Sequence, residues 1–404
     1  MSVHTRLRWI LFAAVGSMTT GYLAAVTVST LAARQITGSS VAAGVPAAVG
    51  TISTAIGTAV LGRMVMGAGR RRSLLAGMAI ATLGGLVAFS GVLVGSFVIL
   101  VAGMGVIGFG NAAAQLARYT AAELVEPDRR GSAVSMIVWA STIGAVAGPR
   151  LLDPGGRVAI ELGAVEYAGG YLATAVFMAV ATLLCLVALR PDPSTIAIVD
   201  ESVVAALGQD TRTPFARPRV QMAVAAMVIG HFVMVLIMTA TPIHVENAGF
   251  GLGTVGNIIS VHTLGMFAFA PLVGRVTDRV GPLPMMWVGA GVLVAASVIA
   301  AVAPHDSTVL LGWGLFLLGI GWNFGFVAGS TLLTVAVEPA LRPLIQGRVD
   351  SMVWGVGAVA TIGSGLLLEG PGYAATAWIG IALVGCLAWI LVSRRSAVGA
   401  ATVG

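Results

Sequence analysis

Gly274-Arg275-Val276-Thr277-Asp278-Arg279-Val280-Gly281 is a short polar break between apolar runs at 254–273 and 283–303. An earlier break, Gly62-Arg63-Met64-Val65-Met66-Gly67-Ala68-Gly69-Arg70-Arg71, stands 212 residues before it and also opens on Gly-Arg. It too separates apolar runs, at 41–61 and 73–94. All four runs have about the 20 residues that an α-helix needs to cross hydrocarbon. Backbone polar groups in lipid must be satisfied within the segment, so runs of this kind are helices. The pair of breaks therefore predicts a repeated helix–turn–helix unit in a membrane.

Working outward, the same pattern fills the chain. Further apolar runs lie at 9–33, 97–118, 132–152, 167–189, 220–243, 308–337, 349–368 and 372–393, which makes twelve. The 404 residues are 57% apolar and 9% charged. A soluble globule has too little interior to hide that much apolar surface. The composition excludes a soluble enzyme, a nucleic-acid binder and a disordered chain. The segment Met1 to Arg8 and the run after it lack a small-residue cleavage site and read as the first span, not a signal peptide. Cys185 and Cys386 both sit in apolar runs, so no disulfide framework is expected.

The 22 basic residues are all arginine, against 16 acidic ones, for a net charge of +6. Nineteen arginines, among them Arg6, Arg63, Arg70, Arg118, Arg130, Arg190, Arg279 and Arg394, fall in one alternating set of breaks. The other set holds only Arg34, Arg150 and Arg157. The positive-inside rule places the rich side, and both termini, in the cytoplasm. The longest polar break, 191–219, contains Pro191, Pro193, Pro214 and Pro218 and reads as a cytoplasmic linker. It divides the chain into an N-terminal six-helix half, 1–190, and a C-terminal half, 220–404.

The halves echo each other. Asn111 precedes Val125-Glu126-Pro127 at the spacing by which Asn323 precedes Val337-Glu338-Pro339, offset by 212. Gly131 to Met136 (GSAVSM) pairs with Gly347 to Met352 (GRVDSM). Two six-helix halves in the same orientation form a transporter architecture with its site near the bilayer midplane. The loop from Gly274 through Asp278 and Arg279 resembles the signature loop of the major facilitator superfamily, G-x-x-x-D-R-x-G-R-R. The resemblance implies an all-α membrane protein with twelve transmembrane helices, and a gating role for Gly274, Asp278 and Arg279. The first loop carries Met66 and Gly67 where the family has Asp and Arg.

The seventh span holds His231, Met234 and Met238 at i, i+3 and i+7, one helix face; the eighth holds His262 and Met266 at i, i+4. Counted from the outer end, Met234 lies about as deep as His262, and His231 about as deep as Met266. Imidazole plus thioether is a soft ligand set that suits Cu(I). Methionine also packs cores, and a histidine in a span can serve an inter-helix hydrogen bond, so both readings stand. The first half has Tyr22, Val26, Gly50 and Thr54 at the corresponding positions, so the set is not a by-product of duplication. M-x-x-x-M followed by H-x-x-x-M resembles the CcoA-type copper importers. That resemblance implies copper binding by Met234, Met238, His262 and Met266 during uptake, in support of cytochrome oxidase assembly. His231 is added from helix geometry.

A second polar stripe, Asn111, Gln115 and Arg118 in the fourth span, and Trp322 and Asn323 in the tenth, either line a substrate cavity or bond helix to helix. Arg118 is expected to snorkel near the cytoplasmic end. Asp350 is expected to pair with Arg348 or with the loop after the eighth span, and His244 and Glu246 are placed in an outer loop. Without any Lys there is no phosphate-binding G-x-x-x-x-G-K-[ST] loop, which argues against an ATP-driven pump. Mid-span carboxylates are scarce, and His231 or His262 is the candidate proton carrier. The expectation is a copper importer of the bacterial inner membrane, not an enzyme and without a cofactor. Copper is its cargo, the bilayer its surroundings, a cytoplasmic copper chaperone a candidate partner, and nucleic acid no partner. The alternatives are a carrier for a small organic solute, riboflavin-like or a drug, and a copper-binding sensor or assembly factor without turnover.

Overall fold

A computed structural model describes residues 2–38, 42–198, 213–250, 252–304 and 307–400, and every regular element among them is helical. In chain order these are α1 (Val3–Thr37), α2 (Val45–Leu93), α3 (Phe97–Ala122), α4 (Arg130–Arg150), α5 (Leu152–Glu161) and α6 (Ala168–Val187). Then come α7 (Pro218–Asn247), α8 (Leu252–Phe267), α9 (Ala270–Val280), α10 (Pro282–Val302), α11 (Thr308–Ala336), α12 (Arg342–Glu369) and α13 (Tyr373–Ala400). Residues 199–212 of the expected linker lie outside the described residues.

Among the described residues eleven helical segments are long and apolar enough to cross a membrane. One of them, α2, has 49 residues. At ~1.5 Å per residue that is over twice the ~30 Å of a hydrocarbon core. Its helix is interrupted at Gly69, whose φ of 84° and ψ of 170° suit only glycine, so α2 supplies two crossings. With that break counted, twelve spans are present, as the apolar runs require. Position 281, offset from 69 by 212, repeats the device: Gly281 has φ 88° and ψ 160° and ends α9 against α10. The two polar breaks that set the sequence repeat thus have one backbone geometry.

The helices cluster into two compact units. The first comprises Met1–Val125, Ala140–Ile198 and Pro343–Gly355; the second comprises Glu126–Trp139, Val199–Arg342 and Val356–Gly404. In the first, α1, α2, α3 and α6 pack together, with α5 against α6. The start of α12 joins this unit at a glycine contact: a Cβ on Gly62 would lie 2.6 Å from the Pro343 carbonyl and 2.9 Å from the Gly347 Cα. In the second, α11 is the hub, touching α7, α8, α9 and α10, while α13 packs on α7 and α10. Small residues at such crossings bring backbones close, which drives helix association where lipid is already apolar. Large apolar side chains such as Val98, Leu183, Leu366 and Trp389 stay exposed on the outer faces, where lipid solvates them.

Three expectations change. α12 starts at Arg342, not 349, because its polar first turns are buried and paired instead of forming a loop. His244 belongs to α7, buried and stacked on Tyr373 with ring centroids 4.1 Å apart, not to a solvated loop; the Glu246 side chain lies outside the described residues. The short helix α5, with a surface Arg157–Asp153 pair at 2.7 Å, fills a stretch read as a connection.

Candidate functional site

In the first unit the stripe on α3 is a chain of hydrogen bonds. Asn111 Nδ2 donates to Thr54 Oγ1 of α2 at 3.5 Å, and Gln115 Nε2 donates to Asn111 Oδ1 at 3.4 Å. The Tyr22 hydroxyl of α1 faces Thr51, Thr54 and Asn111. Arg118 Nη1 donates to the Gln115 carbonyl at 3.1 Å and to Gln115 Oε1. Its Nη2 donates to Tyr119 Oη at 3.0 Å and to Asp350 Oδ1, with the guanidinium 4.4 Å from the Tyr119 ring centroid. Arg118 does not snorkel: both it and Asp350 are 2% exposed, and the partner of Asp350 is Arg118, not Arg348. An arginine buried among the helices is tolerable here because a carboxylate meets it in the interior, where an unpaired charge is very costly.

A second buried pair lies one turn back along α12. Arg70 of α2 grips Glu123 with a fork, Nε to Oε2 at 3.0 Å and Nη2 to Oε1 at 2.6 Å, and donates to Gln346 Oε1 at 3.0 Å. In the second unit, Asp278 at the end of α9 accepts from the Gly131 amide at 2.7 Å, the Ser132 amide at 2.9 Å and the Ser132 hydroxyl. A carboxylate there satisfies orphan donors and the positive end of α4. Gly274 permits the approach, since a Cβ would run into Ser135 and the Gly131 carbonyl. Arg279 is exposed, and so is Met66, which occupies the position equivalent to Asp278 in the first half.

The second unit also gathers aromatic rings around a histidine. Trp322 of α11 stacks on Phe326 with centroids 4.6 Å apart and meets Phe267 of α8 edge-on at 5.9 Å. Its indole Nε1 donates to His231 Nδ1 at 3.2 Å. The acceptor role of Nδ1 places the ring proton of a neutral His231 on Nε2, the atom that faces Gly357. In this arrangement the Nδ1 lone pair of His231 is taken by Trp322.

His262 is 0% exposed and its ring faces α11: Nδ1 lies 2.7 Å from the Leu315 carbonyl. A carbonyl only accepts, so Nδ1 carries the proton, and Nε2 keeps a lone pair without a hydrogen-bond partner. No hydrogen bond joins His262 to the methionines among the described residues. Met234 is buried on α7, while Met238 and Met266 are half-buried. Asn323 Nδ2 donates to the Met266 carbonyl where the helix breaks between α8 and α9, and Asn323 Oδ1 is buried without a partner. A groove of about 570 Å³, with Asn257, Ile258, Trp313 and Phe316 in its walls, opens between the first turns of α8 and α11.

Sequence reasoning missed four parts of this picture. The Asp350–Arg118 pair had a signal, because Asp350 stands where the aligned repeat has Val134. Phe326 was findable as the i+4 neighbour of Trp322. Phe267 and the Arg70–Glu123–Gln346 cluster had none, since each joins distant segments.

The comparisons agree with this architecture. The family model described as Major Facilitator Superfamily matches residues 10–361 and, overlapping, 224–402. The chain is 34% identical to YdeG of Bacillus subtilis (strain 168), described as an uncharacterized MFS-type transporter, over 89% of this chain and 85% of that one. It is 30% identical to the riboflavin transporter RfnT of Brucella anthropi, over 88% and 87%. The proton:xylose symporter XylE shares the fold with a TM-score of 0.76 at 16% identity, covering 96% of each chain. With the repeat, the spans and the glycine-turned loops in place, the chain belongs to the major facilitator superfamily and is a multi-pass membrane transporter, not an enzyme.

Proposed function

We propose that the protein carries a small planar aromatic solute across the membrane, with riboflavin the first compound to test. The observation that carries this reading is the ring cluster of Trp322, Phe326 and Phe267 about His231, drawn from three spans. Sites for small organic ligands are mostly apolar and aromatic with a few placed polar groups. Offset rings favour a flat π-system, worth ~0.5–1.5 kcal/mol per contact beyond area burial. Similarity to the riboflavin transporter RfnT supports the same cargo class. Purified full-length protein in proteoliposomes should take up labelled riboflavin saturably. Trp322→Ala should weaken its apparent affinity up to about tenfold, while Trp322→Phe retains most of it. Unchanged uptake by Trp322→Ala would overturn the assignment.

A second reading, copper import, rests on His262. An imidazole whose Nδ1–H is held by a backbone carbonyl presents Nε2 in the orientation of metal-binding histidines. Met234, Met238 and Met266 would complete a soft set, and copper is then cargo delivered to a cytoplasmic chaperone and to cytochrome oxidase assembly. Under either reading the arginine bias supports cytoplasmic termini, in keeping with an inner-membrane location. Copper uptake abolished by His262→Ala supports the copper reading. Copper bound but not moved marks a sensor or assembly factor, and no copper bound removes both.

A further inference from the structure

We propose that the last turn of α6 carries a binding site for the phosphodiester headgroup of an anionic phospholipid, in the leaflet on the arginine-rich side of the membrane. Arginines from three separate segments of the first unit converge there. Arg6, in the first turns of α1, donates from Nη2 to the Arg190 carbonyl. Arg71, just past the Gly69 break of α2, donates from Nη2 to the Leu186 carbonyl at 2.7 Å. Arg72 follows it in the chain, and Arg190 stands just beyond the end of α6. Arg6, Arg72 and Arg190 are exposed, and Arg71 is half-buried. The bond to Leu186 satisfies an orphan carbonyl at a helix C-terminus, where a cation is favoured.

Capping the helix uses few of the available donors. Each guanidinium has five N–H groups. Arg71 Nε is buried without a partner, and the side chains of Arg72 and Arg190 make no hydrogen bond among the described residues. None of the four arginines is in an ion pair among those residues. The carboxylate of this segment, Asp192, is committed to the backbone: it accepts from the Arg71 amide at 3.3 Å and from the Ser194 amide at 2.9 Å. Four like charges against one carboxylate repel one another, so the cluster is suited to a further anion. Guanidinium groups match phosphate oxygens in paired hydrogen bonds. At the 212 offset, Arg70-Arg71-Arg72 aligns with Pro282-Leu283-Pro284, so the basic triplet is not a by-product of duplication. Orientation in the membrane requires arginines on this side; it does not require three segments to bring them to one place.

The surroundings decide between a lipid and a free anion. Deeper along α6 from the arginines, Leu183, Leu186 and Val187 are exposed, and so is Trp9, one turn along α1 from Arg6. Exposed apolar side chains on a membrane-spanning helix are solvated by acyl chains, and a tryptophan near the end of a span sits at headgroup level. A phospholipid bound here sets its phosphate among the arginines and its chains along Leu183 and Val187 at the same time. Inorganic phosphate or a nucleotide would use the arginines alone.

The inference rests on the chain spanning a membrane and not on which cargo it moves. The test is thermal melting of the purified full-length protein, delipidated in a neutral detergent and titrated with dioleoyl phosphatidylglycerol. Wild type should show a saturable rise in melting temperature that dioleoyl phosphatidylcholine does not give. Arg72→Gln combined with Arg190→Gln should raise the half-saturating phosphatidylglycerol concentration about tenfold or more, at about fivefold per arginine. Neither side chain bonds to the described protein, so melting without lipid should not change. Arg275→Gln combined with Arg394→Gln removes two exposed arginines from the same side and should leave the titration where it is. Equal stabilisation by both lipids, an unshifted titration in the Arg72 and Arg190 variant, or the same shift in the Arg275 and Arg394 variant overturns the proposal. Inorganic phosphate that stabilises as well as phosphatidylglycerol does overturns the lipid assignment. If the double variant does not fold, Arg72→Gln alone must shift the titration about fivefold, and no shift overturns the proposal equally.

Discussion

At the scale of single residues, one contact reorganises the reading of the chain. Arg118 and Asp350 lie 232 positions apart and meet in the interior. From the sequence, Asp350 has Arg348 two positions away, and Arg118 sits near the end of its apolar run, so nothing in the local sequence requires either to be buried. Long-range pairing cannot be read from spacing within a helix, because it depends on which segments the fold brings together. His262 is the opposite case: a histidine in an apolar run is costly wherever it lies, and it is indeed fully buried, on one carbonyl. Its unpartnered Nε2 yields a sharp expectation: under the copper reading His262→Ala loses copper binding by the purified protein, measured by equilibrium dialysis. Under the riboflavin reading neither the wild type nor the variant binds it.

At the scale of elements, the glycine turns were legible and the helix ends were not. Gly69 and Gly281 share a left-handed backbone because each must reverse a span in a few residues, and the 212-residue repeat already paired them. The start of α12 was misplaced because its arginines, Gln346 and Asp350 look like loop residues until their buried partners are known. Two substitutions separate the reasons these glycines are needed. At Gly281 nothing lies within 4 Å of an added Cβ, so Gly281→Ala should cost ~1–3 kcal/mol from backbone strain alone. At Gly62 the backbone of Pro343 and Gly347 is in the way, so Gly62→Ala should cost ~1–3 kcal/mol by overpacking. Thermal melting of the purified proteins reads both. A further Gly347→Ala should worsen Gly62→Ala non-additively, since both touch one contact, and should simply add to Gly281→Ala.

At the scale of the whole molecule, a composition that is 57% apolar and 9% charged was enough for a polytopic membrane protein. The repeat and loops then carried the family. Cargo was not legible in the same way. The methionine and histidine spacing is visible in the sequence and suggests a metal; Trp322 stands out there as a cavity candidate with Phe326 on its face, whereas Phe267 joins them only when α8 and α11 are packed side by side. The account's central claim is that this transporter moves a small aromatic solute past that ring cluster. Parallel uptake assays in proteoliposomes of the full-length protein test it most directly, with labelled riboflavin and copper offered separately. The account predicts saturable riboflavin uptake that Trp322→Ala weakens and Trp322→Phe retains; saturable copper uptake without any movement of riboflavin would contradict it.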